Sequence, residues 1–155
     1  MNLFSLIKPT SITKVGFEDM LFAIEQNSAE GGSENQWLVI NTLPQNEQDY
    51  LIRATTPFNE EEGKINGIIE SCNTHKYRIL IYGKNSVDPT VETKYWQLKG
   101  LGFMDVYIYY GGMFEWVMLS EIYGEDLFPV DVGYSLKKTK EDILLKWKPG
   151  KIKFS

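Results

Sequence analysis

The sequence predicts a three-layer α/β fold, with a mainly parallel sheet that carries helices on both faces. Short apolar runs with β-branched residues are typical of strands buried on both faces, and three such runs occur, at residues 37–43, 78–82 and 105–109. Helical patterns of about a dozen residues precede, separate and follow these runs, and strands joined in this way form right-handed parallel crossovers.

The first two helices are predicted from apolar spacing and from residues that favour a helix start. Residues 16–27 carry apolar side chains at the i, i+3, i+4 and i+7 positions of an amphipathic helix: Phe17, Met20, Leu21 and Ile24. Residues 44–58 are predicted to be irregular, apart from a short strand at residues 50–52. A second helix is predicted over residues 59–70, with Asn59 as its N-cap before three glutamates that suit a helix N-terminus.

The last two helices are marked at their ends by proline and glycine. Asp88 followed by Pro89 predicts a helix start, because aspartate caps the free amides and proline fits the first helical position. That helix is predicted to end at Gly100 or Gly102. The final helix follows a pair of glycines and is predicted to end at Gly124.

Length and composition are those of one ordinary folded domain. The chain has 155 residues, of which 43% are apolar and 24% are charged. No apolar run approaches the roughly 20 residues that cross a bilayer, so no membrane partner is expected. Cys72 is the single cysteine, which makes an internal disulfide impossible and favours a reducing, cytoplasmic location. The net charge of −5 argues against a nucleic-acid partner.

The charge is divided between an acidic body and a basic end. Residues 134–155 carry seven lysines against two acidic residues, while the rest of the chain carries nine basic and nineteen acidic groups. We therefore expect a domain over residues 12–128 and a lysine-rich C-terminal extension, residues 129–155, that packs on it. The extension has apolar residues for this contact: Ile143, Leu144, Leu145 and Trp147.

The loop that follows the strand of residues 78–82 is the candidate site. Ligands of parallel α/β sheets bind beyond the carboxyl ends of the strands, and a loop leading into a helix N-terminus can hold an anion with its free amides. The carboxylate at the end of the loop can also fill this cradle, which would leave a closed loop suited to docking a protein. The loop consists of Gly83, Lys84, Asn85, Ser86, Val87 and Asp88.

A series of motifs over residues 79–116 resembles the second half of a rhodanese-like domain. In that family an apolar strand leads into a six-residue active loop and a helix, followed by a Leu-Gly-Phe turn, a V-Y-x-Y strand, two glycines and a tryptophan. The same order is present here: residues 79–82, the loop from Gly83, Leu101-Gly102-Phe103, residues 106–109, Gly111-Gly112 and Trp116. The resemblance implies a rhodanese-like fold.

The sequence departs from the family where the family's chemistry resides. Sulfur transfer passes through a cysteine persulfide and requires a thiolate at the first loop position, where this sequence has Gly83. Lys84 and Asp88 stand where the family often has arginine, and Asn41 stands where the preceding strand usually ends in aspartate. The resemblance therefore implies an inactive domain, with no catalytic residue and no cofactor, that binds a protein partner or a small anion through the loop.

Two other functions remain open from the sequence. One is a sulfurtransferase that uses Cys72 or a thiol lent by a partner. The other is a purely structural part of a larger assembly, which an exposed apolar patch would indicate. Cys72 and His75 have the Cys-x-x-His spacing of metal ligands, but the sequence has no further cysteine or histidine, and a metal site needs three or four ligands. No metal is expected.

Overall fold

The computed structural model describes residues 11–28, 36–133 and 139–150. No helix within these ranges is long and apolar enough to cross a bilayer. In chain order the elements are β1 (Lys14–Val15), α1 (Phe17–Ser28), β2 (Gln36–Asn41), a 3-10 helix (Gln45–Glu47), β3 (Tyr50–Ile52), α2 (Phe58–Glu70), β4 (Tyr77–Tyr82), α3 (Thr90–Gly100), β5 (Asp105–Tyr109), α4 (Gly112–Tyr123), β6 (Val130–Val132) and α5 (Lys140–Trp147).

The main sheet has four parallel strands in the order β1, β5, β4, β2. In the register of the central strand, Leu80 lies between Val39 on β2 and Tyr107 on β5. The predicted α/β class and mainly parallel sheet are confirmed. Because the strands are parallel, the loops that follow β2, β4 and β5 all lie at the same carboxyl edge.

Helices cover both faces of this sheet, as predicted. Successive side chains of a strand point to opposite faces, and those of β4 accordingly divide between two hydrophobic clusters. Leu80 and Tyr82 belong to the cluster that includes residues of α1, α4 and α5. Ile79 and Ile81 belong to the cluster that includes residues of α2 and α3. The central strand is therefore apolar along its whole inner length because it is buried from both sides.

A second, two-stranded sheet lies beside the first and includes a strand that the sequence did not predict. The predicted strand at residues 50–52 is present as β3, and it pairs antiparallel with β6. The hydroxyl of Tyr82 connects the two sheets, because it accepts from the amide of Ile52 at 3.1 Å and lies 2.7 Å from the hydroxyl of Thr55. Burial raises the pKa of Tyr82, so this phenol stays neutral.

Two predicted boundaries were wrong for local reasons. The predicted N-cap Asn59 lies inside α2, because the carbonyl of Pro57 accepts hydrogen bonds from the amides of Glu60 and Glu61 and begins the helix earlier. The strand predicted over residues 37–43 ends at Asn41 instead. There the Asn41 side chain accepts from the amide of Leu43 at 3.1 Å, a local turn that competes with strand pairing.

The C-terminal helix α5 lies against α4. Its Ile143 and Trp147 are both 3% exposed and belong to the cluster on the α4 face of the sheet. Thr139 caps the helix in a reciprocal capping box with Asp142. Leu145, which we had included in the predicted apolar contact, is 67% exposed, because a residue two positions from both Ile143 and Trp147 lies on the opposite side of a helix. Residues 134–138 and 151–155 of the predicted extension lie outside the described residues.

Candidate functional site

The candidate loop joins β4 to α3 at the carboxyl edge of the sheet, and the carboxylate of Asp88 is folded into it. One oxygen of Asp88 accepts from the amide of Lys84 at 3.0 Å. The other accepts from the amide of Thr90 at 3.0 Å and from its hydroxyl at 2.6 Å. Asp88 thus caps α3, as predicted, and occupies with its own negative charge the position that an anion would need.

Gly83 opens this loop in a space that has no room for a side chain. A Cβ atom at this position would lie 2.5 Å from Oδ2 of Asp88, 2.8 Å from Cγ1 of Val91 and 2.9 Å from Oγ1 of Thr42. Val91 is only 1% exposed, so its side chain has little freedom to move away. The position that would hold the nucleophile in the resembled family is therefore not only without a thiol but filled by neighbouring atoms.

The N-terminus of α4 fixes the other side of the loop. The amides of Met113 and Phe114 donate to the carbonyls of Gly83 and Lys84, both at 2.9 Å. This close approach requires Gly112, whose φ is +65° and where a Cβ would lie 2.6 Å from the carbonyl oxygen of Gly83. These α4 amides are satisfied by the loop backbone, and neither is available to bind a ligand.

Residues from outside the loop contact two of its polar side chains, those of Lys84 and Asn85. The ammonium of Lys84 lies 3.4 Å from Oε2 of Glu47, and Lys146 of α5 lies 3.0 Å from Oε1 of the same carboxylate. The side-chain amide of Asn85 donates to the carbonyl of Trp147 at 2.8 Å. Glu47, Lys146 and Trp147 were not predicted to be part of this site. The only sequence signal for such contacts is the opposite charge of the acidic body and the basic C-terminal extension.

The crest of the loop is its exposed part. Ser86 and Val87 are exposed, and the side chain of Val87 is 64% accessible. The side-chain oxygen of Asn85 accepts from the amide of Val87 at 3.0 Å, which fixes the turn at the crest. Gly83 is buried, and Lys84, Asn85 and Asp88 are half-buried. A molecule that approaches this loop from solvent therefore meets the Ser86 hydroxyl, the apolar side chain of Val87 and the Lys84 side chain, which is 38% accessible.

The ion pairs of Glu47 predict a pH-dependent contribution to stability. The pKa of Glu47 lies below its usual value because Lys146 donates a hydrogen bond to the carboxylate and Lys84 adds a positive charge; burial acts in the opposite direction but is outweighed. A lowered pKa in the folded state means that the stabilisation is present above the unfolded-state value of 4.5 and is lost as pH falls through the lowered value. We expect Glu47→Gln to reduce the free energy of unfolding by about 1 kcal/mol at pH 7.

This difference between wild type and Glu47→Gln is expected to shrink as the pH is lowered below 4.5, as measured by urea unfolding at a series of pH values. Glu70→Gln, which replaces an exposed carboxylate at the end of α2, is the matched control and should change stability by less than about 0.5 kcal/mol. A constant difference between Glu47→Gln and wild type across this pH range would contradict the ion-pair explanation.

Cys72 lies at the other end of the central strand. It is exposed and comes after α2 and before β4, whereas the loop follows β4. The six residues of β4 separate the two ends of that strand by roughly 17 Å at about 3.3 Å per residue. The thiol is therefore not brought to the loop. His75 is exposed, and within the described ranges no group of three or more potential metal-ligating side chains is close enough to hold a metal.

Comparison with known proteins identifies the fold. No protein-family model and no curated protein matches the chain. Among solved structures it is similar to the Alr3790 protein from Anabaena sp., with a TM-score of 0.52 and 15% identity over 77% of this chain and 81% of that one. It is also similar to the Rhodanese_3 like domain of Alr3790, with a TM-score of 0.45 and 15% identity over 66% of this chain and 99% of that one. A further similar structure is the Saccharomyces cerevisiae single domain sulfurtransferase RDL2, with a TM-score of 0.48 and 16% identity over 79% of this chain and all of that one.

The chain therefore shares the fold of Alr3790, a protein that contains a rhodanese-like domain, and the rhodanese-like fold implied by the sequence motifs is confirmed. The single cysteine, Cys72, lies outside the loop of residues 83–88, and Gly83 stands at the position where the sequence resemblance would place the family's nucleophile.

Proposed function

We propose that this chain is a catalytically inactive rhodanese-like domain that docks a protein partner at the exposed crest of the loop, Ser86 and Val87. The observation that carries the proposal is that the start of the loop is already filled by the protein's own atoms. The neighbours of Gly83 leave no space for a thiol-bearing side chain, and the carboxylate of Asp88 accepts from the amide of Lys84. Without a thiolate there is no carrier for a persulfide and no route for sulfur through this loop.

Protein docking fits these contacts better than binding of a small anion. An anion at the loop would meet the negative charge of Asp88 where it needs free amides. Lys84, the loop's one cation, is already ion-paired with Glu47, a carboxylate that it shares with Lys146. A protein partner needs neither of these groups, since it can gain binding free energy by burying the exposed apolar side chain of Val87.

The alternative of a sulfurtransferase that uses Cys72, or a thiol lent by a partner, is not favoured by any contact at the loop. An intracellular location is part of the docking proposal and is supported by the exposed, unpaired thiol of Cys72.

Substitution of Val87 by aspartate tests the docking surface. A charge in the centre of a protein interface costs binding, and we expect Val87→Asp to lower the affinity for the partner about tenfold or more. The measurement is quantitative co-purification from the native host with the tagged chain. Leu127→Asp is the matched control, because Leu127 is 59% exposed against 64% for Val87 and lies outside the loop.

A protein that is captured by wild type and by Leu127→Asp, but not by Val87→Asp, would support docking at the crest. Equal capture by all three chains would show that the crest is not the contact surface. Circular dichroism spectra that coincide for the three chains establish that the fold is intact.

A further inference from the structure

The segment of residues 139–150, which we call the C-terminal strap, lies directly beside the candidate loop. Its α5 buries Ile143 and Trp147, at i and i+4, against the α4 face of the core. Two polar contacts join its end to the loop region: the carbonyl of Trp147 accepts from Asn85, and Lys146 pairs with Glu47. At its start, the ammonium of Lys140 donates to the hydroxyl of Ser120 on α4 at 2.9 Å.

The helix of the strap depends on its contact with the body, and one buried polar group in that contact lacks a partner among the described residues. α5 has eight residues, fewer than an isolated helix needs for stability in water, so its helical form depends on docking. The indole N–H of Trp147 is buried and has no hydrogen-bond acceptor among the described residues. A buried donor without an acceptor penalises the docked state relative to an open one in which water satisfies it.

We propose that the strap is an internal ligand of the groove that it fills beside α4 and the candidate loop. A partner's amphipathic helix with the same spacing of side chains as α5 would displace it. The displacing helix would carry a branched aliphatic residue and a tryptophan four positions apart, with a lysine immediately before the tryptophan to reach Glu47. The occupant is specified by α5 itself, since its Ile143, Lys146 and Trp147 make these contacts within the chain.

Displacement would also change the candidate loop. Removal of Trp147 breaks the hydrogen bond of the Asn85 side chain. Removal of Lys146 breaks one of the two ion pairs of Glu47 and leaves the pair with Lys84. The partner helix would then lie against the loop, next to the exposed crest at Ser86 and Val87. This inference rests on the proposed docking function, which it extends by naming the chemistry of the partner.

A peptide that copies residues 139–150 provides the test on the full-length chain, with binding followed by fluorescence anisotropy of the labelled peptide. While the strap is docked the groove is occupied, so the apparent affinity for a competitor equals its intrinsic affinity multiplied by the fraction of open chains. We expect Trp147→Ala in the chain to loosen the strap, leave the groove intact and bind the peptide at least tenfold more tightly than wild type. A peptide with the same tryptophan replaced by alanine should not bind.

Two further variants of the chain provide the control and an independent test. Leu145→Ala is the matched control, because it truncates an apolar residue of the same helix that is 67% exposed, and it should bind the peptide as wild type does. Lys146→Glu alters only a surface ion pair with Glu47 and keeps the test valid even where Trp147→Ala does not fold. Its affinity for the peptide should rise about threefold.

Equal affinity of the peptide for wild type, Trp147→Ala and Lys146→Glu, or no binding to any of them, would overturn the proposal. The experiment needs no cellular partner, so its failure is separate from a failure of the Val87→Asp capture experiment. Loss of capture by Val87→Asp together with no peptide binding would retain docking at the crest and reject displacement of the strap.

Discussion

Replacement of Gly112 by alanine is expected to lower the free energy of unfolding by about 4 kcal/mol. Two causes add at this position. The φ of +65° is strained for a residue with a Cβ, and that Cβ would lie 2.6 Å from the carbonyl oxygen of Gly83 and 3.0 Å from the amide nitrogen of Asn85. Both neighbours are backbone atoms of the candidate loop, so neither can turn away.

Gly102→Ala separates these two causes. Gly102 has a φ of +103°, but nothing lies within 4 Å of its Cβ position. Gly102→Ala should therefore lower the free energy of unfolding only by the cost of the strained backbone conformation, about 1 to 2 kcal/mol. Urea unfolding of both variants provides the comparison. Equal losses for Gly112→Ala and Gly102→Ala would show that the close contact between α4 and the loop is not as tight as the structure indicates.

Replacement of Gly83 by cysteine is expected to destabilise the protein and to leave it without sulfurtransferase activity. The new Cβ would contact Asp88, Val91 and Thr42 at 2.9 Å or less, and a forced fit of this kind costs about 2 kcal/mol. Asp88 would also be displaced from the amide of Lys84 or remain beside the new sulfur, where its negative charge disfavours a thiolate. Restoring the family's residue at this one position therefore should not restore the family's chemistry.

The matched control for Gly83→Cys is Gly67→Ala on α2, where no atom lies within 4 Å of the Cβ position. Alanine is favoured over glycine in a helix, so this variant should be more stable than wild type by about 0.5 to 1 kcal/mol. Thermal unfolding of the two variants and a thiosulfate-dependent assay of Gly83→Cys are the measurements. Thiocyanate production by a stable Gly83→Cys protein would show that the loop retains a competent cradle.

The sequence was sufficient to predict the parts of the fold that repeat a clear pattern. β4 and β5 are buried on both faces and read as continuous apolar runs, and α1 shows its buried stripe at helical spacing. β1 was not predicted because it has only two residues. β6 has three residues, as β3 does, but Asp131 interrupts its apolar run, whereas β3 reads Tyr-Leu-Ile.

The candidate site could be predicted only as far as local sequence determines it. The hydrogen bonds of Asp88 involve only residues 84 to 90, so the local sequence predicts both the helix cap and the carboxylate that fills the loop. The contacts of Glu47, Lys146 and Trp147 join segments that are 37 to 99 residues apart, and no local pattern encodes such pairs. The space around Gly83 is set by Thr42 and Val91, which only the folded chain brings together.

A thiosulfate:cyanide assay, followed by mass spectrometry of Cys72, measures whether this rhodanese-like chain transfers sulfur, and we expect that it does not. Wild type and Cys72→Ser should both produce no thiocyanate above the protein-free reaction, and Cys72 should carry no persulfide after incubation with thiosulfate. Thiocyanate turnover by wild type, or a persulfide on Cys72 whose loss in Cys72→Ser abolishes that turnover, would contradict this expectation.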